Sequence, residues 1–222
     1  MTRAQLARLI DHSVLKPEAT EQEIRTGADI IGAWHIGFYC IQPCWVALAA
    51  EALRGTDASV VTVVGFPHGC ETSEVKARAT SIAIDEGAAE IDMVMNIGAL
   101  KSAHATLVAA DIEAVGIAAQ GMPVKVILET AALTDSEKNL ACRLACESGA
   151  AFVKTSTGFH PAGGATVADV RLLRAAVGPR IGVKASGGIR SLADALAMVG
   201  AGASRIGTSA SAAILAALDD AG

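Results

Sequence analysis

Short apolar runs and longer amphipathic segments alternate along this chain eight times, at a pitch of roughly 30 residues. The strand candidates are Asp11–Leu15, Phe38–Ile41, Ser59–Val64, Glu90–Met95, Pro123–Glu129, Ala151–Val153, Gly182–Lys184 and Ser204–Ile206. The helix candidates between them run from a Thr20 cap to Trp34, Cys44–Leu53, Ser73 through Glu86, Lys101–Ala119, Asp135–Glu147 and Thr166–Val177. Two more follow, from a Ser191 cap to Val199 and from Ser209 to Leu218, and Arg3–Ile10 supplies a short helix in front. Thr20 with Glu23 is a capping-box opening, and Gly149 stands where a helix C-terminus calls for a left-handed residue. Strict alternation implies parallel strands joined by helical crossovers. Eight such units in 222 residues fit a closed (β/α)8 barrel, a TIM barrel, better than an open doubly wound sheet. No G-x-G-x-x-G follows the first strand, which also counts against a dinucleotide-binding sheet. No linker or low-complexity stretch interrupts the order, so residues 1–222 are predicted as a single domain.

Composition narrows the function. Hydrophobic residues reach 52% but aromatics only 3%, so the core must be built from Ala, Val, Ile and Leu. A net charge of -5 offers no basic footprint for nucleic acid. Charges interrupt every apolar run well before the ~20 residues of a membrane helix, so no membrane partner is expected. The five cysteines are odd in number and lack C-x-x-C spacing, which points to free thiols and a reducing cytoplasm.

Two successive strands end on a lysine followed by a small polar turn, Phe152-Val153-Lys154-Thr155-Ser156-Thr157-Gly158 and Gly182-Val183-Lys184-Ala185-Ser186-Gly187-Gly188. Alternation puts Val153 and Val183 against the helices and both lysines into the barrel mouth, ~5 Å apart on adjacent strands. Barrel chemistry sits at that end. Two close ammonium groups repel, and burial disfavours charge, so one lysine is expected to lose its proton easily and act as a nucleophile toward carbonyls. Asp92, within the apolar fourth strand, is the carboxylate placed to orient a lysine or move protons; Glu90 shares its parity but lies nearer the strand's start. Ser186-Gly187-Gly188 and Gly207-Thr208-Ser209 each precede a helix after strands seven and eight, where barrels of this kind hold phosphate. His12, His35, His68, His104 and His160 are scattered without ligand spacing, so neither a metal nor another cofactor is predicted.

These phrases, with Leu9-Ile10-Asp11-His12, Gly65-Phe66-Pro67, Glu90-Ile91-Asp92-Met93-Val94 and Asn96 through Lys101, resemble the deoxyribose-phosphate aldolase family of class I aldolases over almost the whole chain. The resemblance implies reversible cleavage of 2-deoxy-D-ribose 5-phosphate to acetaldehyde and D-glyceraldehyde 3-phosphate. It implies Lys154 as the Schiff-base lysine, Lys184 as the second lysine and Asp92 as the acid/base carboxylate. Gly187, Gly188, Gly207 and Ser209 fall at its phosphate end, and Thr155, Cys40 and Asp11 at substrate-binding positions. A homo-oligomer, a dimer by preference, is expected. The chain departs from the family's pattern at His68-Gly69-Cys70-Glu71, at His160-Pro161-Ala162 and at Ala210. An aldolase for another aldehyde, a metal-dependent aldolase and a non-catalytic phosphosugar-binding barrel remain the alternatives.

Overall fold

The strands close on themselves in chain order. In the computed structural model, which describes residues 1–219, β1 (Ile10–Val14), β2 (Phe38–Ile41), β3 (Ser59–Val64) and β4 (Glu90–Val94) lead to β5 (Val124–Ile127), β6 (Phe152–Lys154), β7 (Gly182–Ser186) and β8 (Arg205–Thr208). All neighbours are parallel, and β8 pairs back to β1 through Asp11↔Gly207. Residues 220–222, counted in the predicted domain, lie outside the described residues.

Helix α1 (Arg3–Ala7) precedes the barrel. The crossovers are α2 (Glu21–Trp34), α3 (Val46–Ala52), α4 (Ser73–Asp85), α5 (Ile97–Lys101) with α6 (Ala105–Ala118), α7 (Asp135–Glu147), α8 (Val167–Val177) and α9 (Leu192–Gly200), and α10 (Ser211–Asp219) follows β8. Full capping boxes open α2 from Thr20, α7 from Thr134 and α9 from Ser191. Each cap is worth about 1 kcal/mol, and each fixes where a loop over the strand ends must stop.

Outward strand residues such as Ile91, Val126, Val153, Val183 and Ile206 pack with Ile24, Ile112 and Leu173 of the helices, and this shell is the main core. Inside the barrel, by contrast, the only apolar cluster of buried residues among those described is Cys40, Val61 and Val63, flanked by Leu15, Phe38 and Phe66. Much of the remaining interior is charged, with Ile127 and Phe152 on the same inward face as the lysines of β5 and β6.

Most element ends shift by one to three residues from the sequence expectation, the first helix ending at Ala7 because Ile10 already opens β1, and three of the differences bear on the site. The helix predicted over Lys101–Ala119 is two helices, because Ala103 turns left-handed at φ 60° and closes α5 as a Schellman motif: His104 N–H donates to Ala99 O and Ala103 N–H to Leu100 O. The fifth strand stops at Ile127 rather than Glu129, since Glu129 is also left-handed and opens a 3-10 turn over Thr130–Ala132. The eighth strand runs on to Thr208, past the expected end at Ile206.

Candidate active site

Register brings the two lysines together. Lys154 ends β6 and lies directly opposite Lys184 of β7, and both point inward at 2% and 1% exposure. Glycine in β8 makes the room: a Cβ on Gly207 would stand 3.2 Å from Lys184 Cε and 2.9 Å from Ser186 Cβ. Lys154 Nζ and Lys184 Nζ each donate to the same oxygen, Asp92 Oδ2, at 2.7 Å.

Beneath them lies a second layer of charge. Lys125, the register partner of Asp92 on β5, donates to Asp92 Oδ1 at 2.8 Å and pairs with Glu90 Oε2 at 2.6 Å. Arg205 of β8 donates to Asp11 Oδ1 at 2.9 Å and to both oxygens of Glu90 at 2.9 and 3.2 Å. Lys184 also donates to Asp11 Oδ2. The Arg205 guanidinium stacks 3.3 Å from the centroid of Phe38 and 5.2 Å from that of Phe152, which floors the barrel. Four buried cations thus face three carboxylates, Asp11, Glu90 and Asp92.

The electrostatics follow from this packing. Burial alone would raise the Asp92 carboxyl, but Lys125, Lys154 and Lys184 hold it well below the carboxylate range. Asp11 is likewise lowered against burial, by Lys184, Lys125 and Arg205. Lys184 is raised: burial works against its charge, and Asp11 and Asp92 overcome it. Of the two lysines, Lys184 is thus the one held as an ammonium, between Asp11 and Asp92. Cys40 is pushed up to about 11 by burial, so its thiol is protonated at neutral pH.

Above the lysines opens a cavity of about 510 Å³. Lys154, Lys184 and Cys40 form its deep end, Thr157 and Phe159 one wall, and Gly187, Gly188, Gly207 and Ser209 another part of the rim. Gly187 and Gly188 have φ of 87° and 83°, and a Cβ on Gly164 would come 2.3 Å from Gly187 O, so this turn is packed backbone on backbone. The N-termini of α9 and α10 follow these turns, and helix N-termini suit an anion.

Among the remaining predicted site residues, Asp11 and Asp92 lie below the cavity rather than in its lining. Thr155 also lies off the cavity; its hydroxyl donates to Ser186 O at 3.2 Å and accepts from Ser186 N–H at 3.1 Å, which locks β6 to β7. Lys125 and Arg205 are the members of the cluster that the sequence reading did not single out. Their signal was available, since each is a cation at an inward position of an otherwise apolar strand. Among the described residues no group of three or more His, Cys, Asp or Glu side chains is placed to hold a metal ion.

Fold and site together define a class: (β/α)8 barrels that present buried lysines to a cavity at the carboxyl ends of their strands. Residues 6–216 match the model of the DeoC/LacD family aldolases, and the chain belongs to that family. It is 56% identical over 212 residues to the deoxyribose-phosphate aldolase of Enterococcus faecalis, covering 95% of this chain and 96% of the relative. With the enzyme of the same name from Streptococcus sanguinis it shares 55% over 210 residues, covering 95% of each. Among solved structures, the deoxyribose phosphate aldolase of Aeropyrum pernix, described as tetrameric, superposes with a TM-score of 0.92 at 31% identity, covering 100% of this chain and 94% of that one. An aldolase called QR15 gives 0.92 at 37%, covering 97% and 96%.

Proposed function

We propose that this chain is a class I aldolase that reversibly cleaves 2-deoxy-D-ribose 5-phosphate to acetaldehyde and D-glyceraldehyde 3-phosphate through an imine on Lys154. The observation that carries the reading is the sharing of one Asp92 oxygen by two lysines at the floor of a cavity whose far end is a glycine turn. Lys184 has two carboxylate partners and stays an ammonium; Lys154 has only its share of Asp92. Among the four cations of the cluster, Lys154 has a single carboxylate partner, Asp92, where Lys125, Lys184 and Arg205 have two each.

The Lys154 amine attacks the open-chain aldehyde carbon, and loss of water gives an iminium. With that electron sink in place, the hydroxyl on the third carbon gives up its proton and the bond between the second and third carbons breaks. Glyceraldehyde 3-phosphate leaves, and the enamine takes a proton on carbon and is hydrolysed to acetaldehyde. Asp92 and Lys184, in contact with Lys154's environment, hold and return these protons. Gly187, Gly188, Gly207 and Ser209 hold the phosphate, and Cys40 shapes the deep end.

Assembly as a homo-oligomer, with a dimer expected, and residence in a reducing cytoplasm belong to the same proposal. The free state of all five cysteines supports the latter, and light scattering reads the former. The central test is borohydride trapping with deoxyribose 5-phosphate in the presence of chelator, followed by peptide mass mapping. An adduct on Lys154 with unimpaired turnover is expected. An active enzyme that yields no adduct overturns the imine, and an adduct on Lys184 exchanges the two lysine roles.

A further inference from the structure

Glu129 is a buried carboxylate that the imine chemistry does not use. It is 1% exposed and held with left-handed backbone, φ 57° and ψ 61°, just after β5. Such a conformation costs a side-chain-bearing residue about 1 kcal/mol, so the surrounding contacts must fix it. Those contacts lead to the loop that follows Lys154. Thr157 N–H donates to both Glu129 oxygens at 3.2 and 3.3 Å, and Thr157 Oγ1 donates to Oε2 at 2.5 Å. Phe159 N–H in turn donates to Thr157 Oγ1 at 3.0 Å.

A hydroxyl has one proton and two lone pairs. In Thr157 the proton goes to Glu129 and one lone pair to Phe159 N–H, which leaves the hydroxyl able only to accept one further hydrogen bond. Thr157 lines the cavity together with Lys154, Gly158 and Gly187. Lys154 stands three residues before it, and Gly158 right after it packs on Gly187, whose Cβ would lie 3.3 Å from Gly158 Cα. A chain running from the imine to the phosphate turn must pass this wall with its middle carbons.

We infer that Glu129 is a positioning residue that fixes the polarity of the Thr157 hydroxyl, so that the cavity wall accepts a hydrogen bond from a hydroxyl borne between the carbonyl and phosphate ends of the substrate. This rests on the aldolase reading above. In the addition direction the group concerned is the 2-hydroxyl of the phosphorylated acceptor aldehyde. An acceptor without it leaves the buried Thr157 lone pair unmet.

The test is the ratio of kcat/KM for D-glyceraldehyde 3-phosphate to that for 3-oxopropyl phosphate, its 2-deoxy analogue, with acetaldehyde as donor. Thr157→Val should lower that ratio about tenfold, the worth of one hydrogen bond. Glu129→Gln should lower it in the same direction, because a carboxamide N–H can donate to Thr157 and turn the hydroxyl proton into the cavity. The double variant should match Thr157→Val alone, since Glu129 acts only through Thr157. Borohydride trapping of acetaldehyde on Lys154 should stay at the wild-type yield throughout; its failure in the wild type would count against the imine and not against Glu129. Equal losses on both acceptors, or additive effects in the double variant, overturn the inference. Should Glu129→Gln fail to fold, Thr157→Ser and Thr157→Val decide: serine must keep the ratio and valine lose it, and equal ratios overturn it.

Discussion

Lys154 and Lys184 donate to one and the same oxygen of Asp92, each at 2.7 Å, although they come from different strands. The arrangement makes the charge of Asp92 the element that keeps two ammonium-capable groups within reach of one carbonyl carbon. Asp92→Asn removes that charge with almost no change of shape. We expect kcat to fall by about 10²–10⁴-fold, the usual worth of a positioned acid/base group, while the protein still folds. Lys154→Met should abolish borohydride trapping altogether. Residual trapping at wild-type yield in Lys154→Met would show that the imine forms elsewhere.

Lys125 holds the other oxygen of Asp92 from below and never reaches the cavity. Its loss in Lys125→Met leaves the buried Glu90 and Asp92 short of one cation, and breaking such a buried pair costs about 3–5 kcal/mol. Asp92 is held well below its usual range partly by Lys125, so its folded pKa should rise in the variant. The group is active as the anion. Hence the acid limb of kcat/KM should move to higher pH, not lower. Pairing the change with Glu90→Leu should recover part of the stability, because anion and cation then leave together. A pH profile and urea unfolding of the two variants check both statements; an unmoved acid limb would mean that Lys125 does not act on Asp92.

The barrel and the lysine pair were legible because both rest on local signals. Strand period, capping residues such as Thr20 and Ser191, and the repeated lysine-then-glycine endings all lie within a few residues of one another. The charge balance was not legible, since it depends on which inward positions of distant strands share a layer. Asp11, Glu90, Lys125 and Arg205 come from β1, β4, β5 and β8, and only closure of the barrel sets Arg205 between Asp11 and Glu90. The same reason hid the hold on Lys184: its neighbour in sequence terms was Lys154, while one of its carboxylate partners lies 173 positions away. Glu129 was read as the end of a strand for a different reason. A left-handed glutamate has no propensity signal, and the hydroxyl that stabilises it belongs to the next loop.

Gly207 is the clearance for Lys184. An alanine there would set its Cβ 3.2 Å from Lys184 Cε and 2.9 Å from Ser186 Cβ. Overpacking of this kind costs about 1–3 kcal/mol. Lys184 should yield before the backbone does, so Gly207→Ala is expected to lose about 10-fold or more in kcat with a melting temperature lowered by only a few degrees. Gly182→Ala is the contrasting case. Its Cβ would fall 2.0 Å from the Phe152 ring that floors the barrel, so stability should suffer more than in Gly207→Ala. Thermal melts and steady-state rates for the two variants check the contrast; the same balance of effects in both would contradict it.

His12 should dominate how stability responds to mild acid. It lies on β1 with 4% exposure, its Nδ1 2.7 Å from Ser211 Oγ and its ring stacked 5.9 Å from Tyr39. Burial lowers it from 6.5 to about 4. Because the folded value is the lower one, the unfolded chain binds the extra proton between these limits. The contribution of His12 is therefore complete above pH 6.5 and is lost as pH falls toward 4. With about 1.4 kcal/mol per pKa unit, the loss at pH 5 is about 2 kcal/mol, clear of the carboxylate titrations. His12→Gln keeps a hydrogen-bonding group of similar reach and has no charge to gain. Urea unfolding at pH 7.5 and pH 5 should therefore show the wild type losing about 2 kcal/mol more than the variant. Parallel losses would mean that His12 gains its proton without leaving its place beside Ser211, and that acid destabilisation starts elsewhere.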